Sequence, residues 1–285
     1  MPDRATNEIA SAVLAEFADA LEGAAARPVI IGLAGAQGSG KSTVARRLVQ
    51  QLREKGRRSA ALSIDDFYHS RSERRRIAAT LHPLFVTRGA PGTHDAALAL
   101  SVLDAVRNGE ATPAPAFDKA RDEPLPSNQW PIIPASLDVL VFEGWCLGAR
   151  PEAPEALRTP INMLERAFDA DGKWRRAVND ALAGAYQDLF AAIDALVFLR
   201  APSFEIVRRW RTEQERALAS SPHARPSPGL MTAEEISFFI QHFERITVWM
   251  MKDLPQRADQ TLYLNERRRI VQTAARSRQP VEVHC

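Results

Sequence analysis

Residues Val29–Thr43 read VIIGLAGAQGSGKST. The β-branched run at Val29–Ile31 predicts a buried strand, and the pattern from Thr43 onward predicts a helix. Between them stand Gly35, four intervening residues, Gly40, Lys41 and Ser42. Each residue type has a chemical reason. Glycines let the backbone turn tightly, so successive N–H groups face inward, where phosphate oxygens would sit. The helix that follows adds the positive end of its dipole. A lysine at this offset reaches the β- and γ-phosphates, and the serine hydroxyl is placed for Mg²⁺. A glycine-rich turn without that task would not need lysine and serine at these offsets. Gly35, Ala36, Gln37, Gly38, Ser39, Gly40, Lys41, Ser42 and Thr43 are therefore the expected site for ATP and Mg²⁺. Lys41 is expected to be catalytic as well, and Ser42 to be a metal ligand.

Composition narrows the setting. The chain has 285 residues with 37 Lys and Arg against 35 Asp and Glu, a net charge of +2. No polyanion-binding signature accompanies the loop, so no nucleic-acid partner is expected. A hydrophobic content of 45% is ample for one large core. Cys146 and Cys285 are far apart and form neither a disulfide framework nor a metal-binding spacing, which fits a reducing cytosol. No apolar run approaches a membrane span, and Asp3, Arg4 and Glu8 do not make a secretory signal. A cytoplasmic protein without a membrane partner is expected.

Taken in order, Asn7–Ala25 predicts an amphipathic helix through Ile9, Val13, Leu14, Phe17 and Leu21. A second strand, Ala60–Ile64, runs straight into Asp65, Asp66, Phe67 and Tyr68. Ligands of open α/β sheets sit beyond the carboxyl ends of strands, so one aspartate is assigned to chemistry and the other to capping or to metal-bound water. The arginine-rich run His69–Thr80 reads as a solvated helix face, with Arg71 open to a role beside an anion. Thr87–Asp95 reads TRGAPGTHD, a loop whose Thr93 or Asp95 would cap the next helix. Arg88 and His94 lie in it. The proline-rich stretch 110–134 has little periodicity and predicts a substrate-covering loop. A third strand, Leu137–Phe142, ends at Glu143, where an acid associated with Mg²⁺ belongs. Ala195–Leu199 and Asp259–Leu264 predict two further strands. The helix after Pro202 carries Arg208 and Arg211 on one face, suited either to neutralising a transferred phosphoryl group or to pairing with Glu213 and Glu215. Thr232 and Glu235 form a capping box before a helix that buries Ile236, Ile240 and Phe243. From Asn265 the chain reads as a basic, frayed tail.

This alternation predicts an α/β fold of three layers, α/β/α, with a mostly parallel five-stranded sheet and added helices. One domain over 1–285 is expected. Within it lie an N-terminal helix in 1–27, the covering loop at 110–134, a lid-like region at 202–228 and the tail at 265–285. The expected chemistry is phosphoryl transfer to a small acceptor. No asparagine is followed by lysine, which removes the guanine-recognition motif of GTPases, and Phe142-Glu143 is not the Asp-Glu pair of motor ATPases. An ATP-sensing protein without transfer is the alternative from another class.

The blocks GxxxxGKS, DDFY, RGxxGTHD, FDK and FEGWxLG resemble the plant-type D-glycerate 3-kinase family and its bacterial and fungal branch. That family lies within the phosphoribulokinase, uridine kinase and pantothenate kinase group of P-loop kinases. The similarity runs from about Val29 to Asn265. It implies a P-loop NTPase fold, ATP and Mg²⁺ as cofactors, and a hydroxyl acceptor, D-glycerate foremost, with a nucleoside, pantothenate or a sugar phosphate as the other acceptors. It implies Asp65 as the acid that activates the acceptor, Glu143 as the metal-associated acid and Arg211, in RRWR, as a lid arginine. Asp66, Tyr68, Arg88, His94, Asp95, Asp118, Lys119 and Arg208 are the residues it brings around the acceptor. Phe117 stands where relatives often carry tyrosine.

Overall fold

In the computed structural model, residues 4–17, 28–219 and 231–276 are described. The strands are β1 (Val29–Gly35), β2 (Ser59–Ser63), β3 (Thr112–Pro113), β4 (Phe117–Asp118), β5 (Glu123–Pro124), β6 (Ile132–Ile133), β7 (Val139–Gly144), β8 (Ala195–Arg200), β9 (Gln260–Leu264) and β10 (Ile270–Ala275). The helices are α1 (Arg4–Glu16), α2 (Lys41–Glu54), α3 (Arg71–Thr80), α4 (Ala96–Arg107), α5 (Met163–Phe168), α6 (Lys173–Ala183), α7 (Ala185–Ala191), α8 (Phe204–Ala219) and α9 (Ala233–Asp253).

The central sheet has six strands in the order β10-β9-β8-β1-β7-β2. All of its neighbours run parallel except β9 and β10. β1 and β7 are buried almost throughout, as the continuous apolar runs of strands covered on both faces require. Helices cover both faces in a three-layer α/β/α arrangement. α2 turns Val44, Leu48, Val49 and Leu52 into the core, and α1 packs on it through Ile9, Val13 and Leu14.

Register places the functional residues. Leu33 lies opposite Glu143 and Ala34 opposite Gly144, so the ends of β1 and β7 are level. Ser63, the last residue of β2, lies opposite Glu143 as well. The glycine loop, Glu143 and the aspartate pair therefore emerge at one edge of the sheet.

Three expectations change. The sheet has a sixth strand, because the chain does not fray at Asn265. The Asn265 side-chain carbonyl accepts from the Arg267 and Arg269 amides, Arg268 takes a φ of 58°, and β10 folds back on β9. Three successive arginines read as a tail, but asparagine at their head makes them a turn. The stretch 110–134 is also more ordered than its periodicity suggested, since β3 pairs with β6 and β4 with β5. Finally, α3 is not simply a solvated face, because Arg74 is only 1% exposed. The expected helix residues 18–25, the 220–228 loop and the tail from 277 lie outside the described residues.

Candidate active site

The loop after β1 uses glycine where no other residue fits. Gly38 and Gly40 have φ of 73° and 90°. A Cβ on Gly38 would fall 2.6 Å from Trp210 Cβ and 2.8 Å from the Trp210 carbonyl carbon. Trp210, on α8, thus braces the loop from outside, and Arg268 adds a hydrogen bond to the Gly38 carbonyl at 2.6 Å while its guanidinium lies over the Trp210 ring. α2 begins at Lys41 with Gly40 at its N-cap and no capping side chain, which leaves first-turn amides for an anion. Ser39 Oγ and Gln37 Oε1 are buried there without hydrogen-bond partners among the described residues.

Ser42 Oγ donates to Glu143 Oε1 at 2.6 Å. Glu143 is 6% exposed, and its Oε2 is buried without a partner. A buried, unpartnered carboxylate oxygen beside a serine hydroxyl is a hard oxygen donor set, so these residues fit Mg²⁺.

Beyond β2, Ser63 accepts from the Asp65 amide at 3.3 Å and starts a short 3-10 turn, Ile64–Phe67. The turn separates the two aspartates. Asp65 Oδ1 accepts from Tyr68 OH at 2.9 Å, and Oδ2 accepts from Lys119 Nζ at 2.6 Å. Burial would push the Asp65 carboxyl up, but Lys119 and Lys41 overcome it and hold it well below the usual carboxylate range. Asp66 goes the other way. Burial and the neighbouring Asp65 charge push it up to about 6, against a smaller downward pull from Lys119 and the Phe117 backbone. Two adjacent carboxyls thus acquire opposite character from their surroundings.

An aromatic wall stands behind them. The Tyr68 and His94 rings stack at 4.4 Å, and Phe117 meets Tyr68 edge-on at 5.3 Å. Arg88 lies over the Phe117 ring at 5.6 Å and pairs with Asp122. The same Asp122 accepts from Arg74 at 2.7 Å and Arg71 at 3.2 Å, so three arginines converge on one carboxylate. This docks the 117–124 hairpin on α3 and leaves the cluster with excess positive charge.

The expected residues separate into groups. Asp65, Tyr68, His94, Arg88 and Lys119 come together, with Asp66 beside them. Asp95 caps α4 through the Leu98 amide at 2.9 Å. Asp118 Oδ1 accepts from the Ala120 and Arg121 amides, so its carboxylate shapes the hairpin turn. Arg211 pairs with Glu215 at 2.5 Å and lies over Phe239, while Arg208 donates to Ser237 at 3.1 Å. Arg211 thus makes the glutamate pairing weighed for this helix and packs on Phe239 of α9, whereas Arg208 bonds to Ser237 of α9 and not to a glutamate. Three contributors carried no sequence signal of their own. Asp122 was one charge among many, Arg268 stood in a run of arginines, and Tyr186 read as one apolar stripe position of a helix.

Residues 30–149 match the Phosphoribulokinase / Uridine kinase family model. The uncharacterized kinase mug58 of Schizosaccharomyces pombe is 34% identical over 228 residues, spanning 76% of this chain and 79% of that protein. The chloroplastic D-glycerate 3-kinase of Arabidopsis thaliana is 28% identical over 227 residues, 76% of this chain but 46% of that protein, so the chain spans less than half of that relative. A solved D-glycerate 3-kinase from Cryptococcus neoformans shares the fold, with a TM-score of 0.79 at 23% identity over 96% of this chain and 99% of that one.

Proposed function

The chain belongs to the phosphoribulokinase/uridine kinase family, and on that premise we propose that it transfers the γ-phosphoryl group of ATP to a hydroxyl of D-glycerate. The observation that carries this reading is the position of Asp65. It sits close enough to Lys41 of the glycine loop for that charge to depress its pKa, and it holds Lys119 and Tyr68 on its own two oxygens. An acid facing a triphosphate cradle, ringed by cations, suits an alcohol that also bears a carboxylate. A relative named as a D-glycerate 3-kinase, 28% identical, supports the choice of acceptor.

The loop amides and Lys41 bind the triphosphate, and Lys41 stabilises charge on the transferred group. Ser42 and Glu143 would hold Mg²⁺, which supplies further charge neutralisation at the phosphate oxygens. Asp65 aligns the acceptor hydroxyl. Asp66, with a pKa near neutrality, is the better destination for the proton, following the rule that environments pushing paired carboxyls apart divide their roles. Arg88 and Lys119 receive the acceptor carboxylate, for which arginine offers a bidentate fork. Tyr68 and His94 complete the pocket.

An ADP-release assay over D-glycerate, other hydroxy acids, nucleosides and pantothenate tests the acceptor. Turnover is expected with D-glycerate. If a nucleoside or pantothenate turns over while glycerate stays at background, the acceptor is misassigned although the transfer chemistry survives.

The Asp66 assignment predicts a pH profile. A raised carboxyl pKa means the group is ionised above about 6 and protonated below it. Activity should therefore fall as pH drops through that value, with the slope of one proton, and Asp66→Asn should abolish that limb. An unchanged acid limb in the variant would assign the proton elsewhere.

Gly38→Ala tests the cradle. The side chain would meet Trp210 backbone that cannot yield, at a positive φ that alone costs about 1–2 kcal/mol. ATP affinity by calorimetry should fall by roughly tenfold or more.

A further inference from the structure

His94 is buried, and its Nε2 has no hydrogen-bond partner among the described residues. Its Nδ1 lies 2.6 Å from the hydroxyl of Tyr186, on α7. The Gly92 amide donates to that same hydroxyl oxygen at 3.0 Å. Amides can only donate. The phenol is buried and stays protonated, because burial pushes its pKa well above the ordinary value. Its one hydrogen is therefore satisfied when Nδ1 is the acceptor. A hydrogen on Nδ1 would make the phenol oxygen accept from both the ring and Gly92 and leave the phenol's own hydrogen without an acceptor among the described residues. Nδ1 thus carries the lone pair, and the ring hydrogen resides on Nε2. Burial also pushes His94 down to about 3, so the ring is neutral at working pH despite the Asp65 charge nearby. The ring stacks on Tyr68, whose hydroxyl binds Asp65. A buried N–H without a partner, one ring away from the acceptor-aligning acid, requires an oxygen to complete it.

We propose that Tyr186 is a positioning residue: by donating to His94 Nδ1 it fixes the Nε2–H tautomer, so that His94 offers a neutral hydrogen-bond donor to an oxygen of the acceptor. This rests on the reading above that a small hydroxy acid lies beside Asp65. A neutral donor recognises a hydroxyl or carboxylate oxygen without adding charge to a pocket already rich in cations. The tautomer, not the ring alone, decides whether the pocket presents a donor or a lone pair there.

Tyr186→Phe keeps the edge-on ring contact to His94 at 5.8 Å and removes only the hydroxyl. Two measurements test the proposal. Long-range ¹⁵N–¹H correlation spectra of histidine-labelled protein should show His94 as the Nε2–H tautomer, with the signal assigned by its loss in His94→Gln. Steady-state kinetics of Tyr186→Phe should show the acceptor KM raised about tenfold or more, with the ATP KM unchanged. A wild-type His94 carrying its hydrogen on Nδ1 overturns the proposal, as does an acceptor KM within twofold of wild type in Tyr186→Phe. Should that variant fail to fold, His94→Gln and His94→Asn decide. Glutamine places an amide donor near Nε2 and should retain acceptor affinity better than asparagine, whose amide lies near Nδ1, and the reverse order counts against the assignment. The spectrum needs no acceptor, and the kinetics can use whichever acceptor turns over. Failure of D-glycerate in the panel assay is thereby distinguishable from failure of the Tyr186 role.

Discussion

Asp65→Asn should lower kcat by about 10²-fold or more, because the group that aligns the acceptor hydroxyl is lost and small misplacements of reacting atoms cost about that much. Asparagine preserves the shape and can still accept from Tyr68, but it loses the charge that holds Lys119 at 2.6 Å. The consequences for binding have a definite sign. The charge removed lies near Lys41, where it partly opposes an incoming triphosphate, so ATP should bind equally well or slightly more tightly. Lys119, released from its partner, is freed for the acceptor carboxylate, and the acceptor KM should hold or fall. Loss of kcat without loss of binding marks an interaction made in the transition state rather than the ground state. Single-turnover kinetics with separate ATP titration measures each quantity. A kcat within tenfold of wild type would remove Asp65 from the chemistry, and parallel loss of ATP affinity would make it part of the cradle instead.

Asp169→Ala should destabilise the protein by about 3–5 kcal/mol, the cost of breaking a buried ion pair by removing one partner. The Asp169 and Arg175 side chains are 0% and 2% exposed. The carboxylate accepts from Arg175 Nη1 at 2.8 Å and also from the Trp174 and Arg175 amides at 2.7 and 3.2 Å, the first turn of α6. Alanine therefore strands a buried guanidinium and uncaps a helix at once. The guanidinium keeps only backbone partners, such as the Leu157 carbonyl at 2.6 Å. Asp169→Asn retains an acceptor for an amide and should cost less. Adding Arg175→Met to Asp169→Ala should recover part of the loss, since the stranded charge disappears with it. Urea midpoints at constant m measure all three. A single-variant loss under about 1 kcal/mol, or a double variant worse than the single, contradicts the account.

How far residue order alone could be read differs sharply across the molecule. The glycine loop was legible because its function is local. Gly38, Gly40, Lys41 and Ser42 are contiguous, and their spacing fixes both backbone turn and side-chain reach. The end of β7 carrying Glu143 was legible because a buried parallel strand is a continuous apolar run that stops at a polar residue. The end of β2, a partly buried edge strand, was legible because its short apolar run stops at the aspartate pair. Charged side chains elsewhere could not be assigned this way. A carboxylate in a loop reads alike whether it caps a helix, as Asp95 does, shapes a turn, as Asp118 does, or gathers arginines from distant elements, as Asp122 does. Arg211 was suited by its position either to phosphate or to a glutamate of its own helix, and in the fold it pairs with Glu215, four residues along.

The sequence by itself therefore settles the α/β class, the phosphate cradle and the strand-end acids, because those depend on contacts within a few residues of one another. The opposite character of Asp65 and Asp66, the hairpin held over them and the hydroxyl behind His94 follow only from the folded chain. Lys119 is 54 positions from Asp65 and Tyr186 is 92 from His94, and no local pattern records which charges and hydroxyls burial will bring together. Burial and proximity set a pKa and a tautomer, and both are properties of the packed molecule.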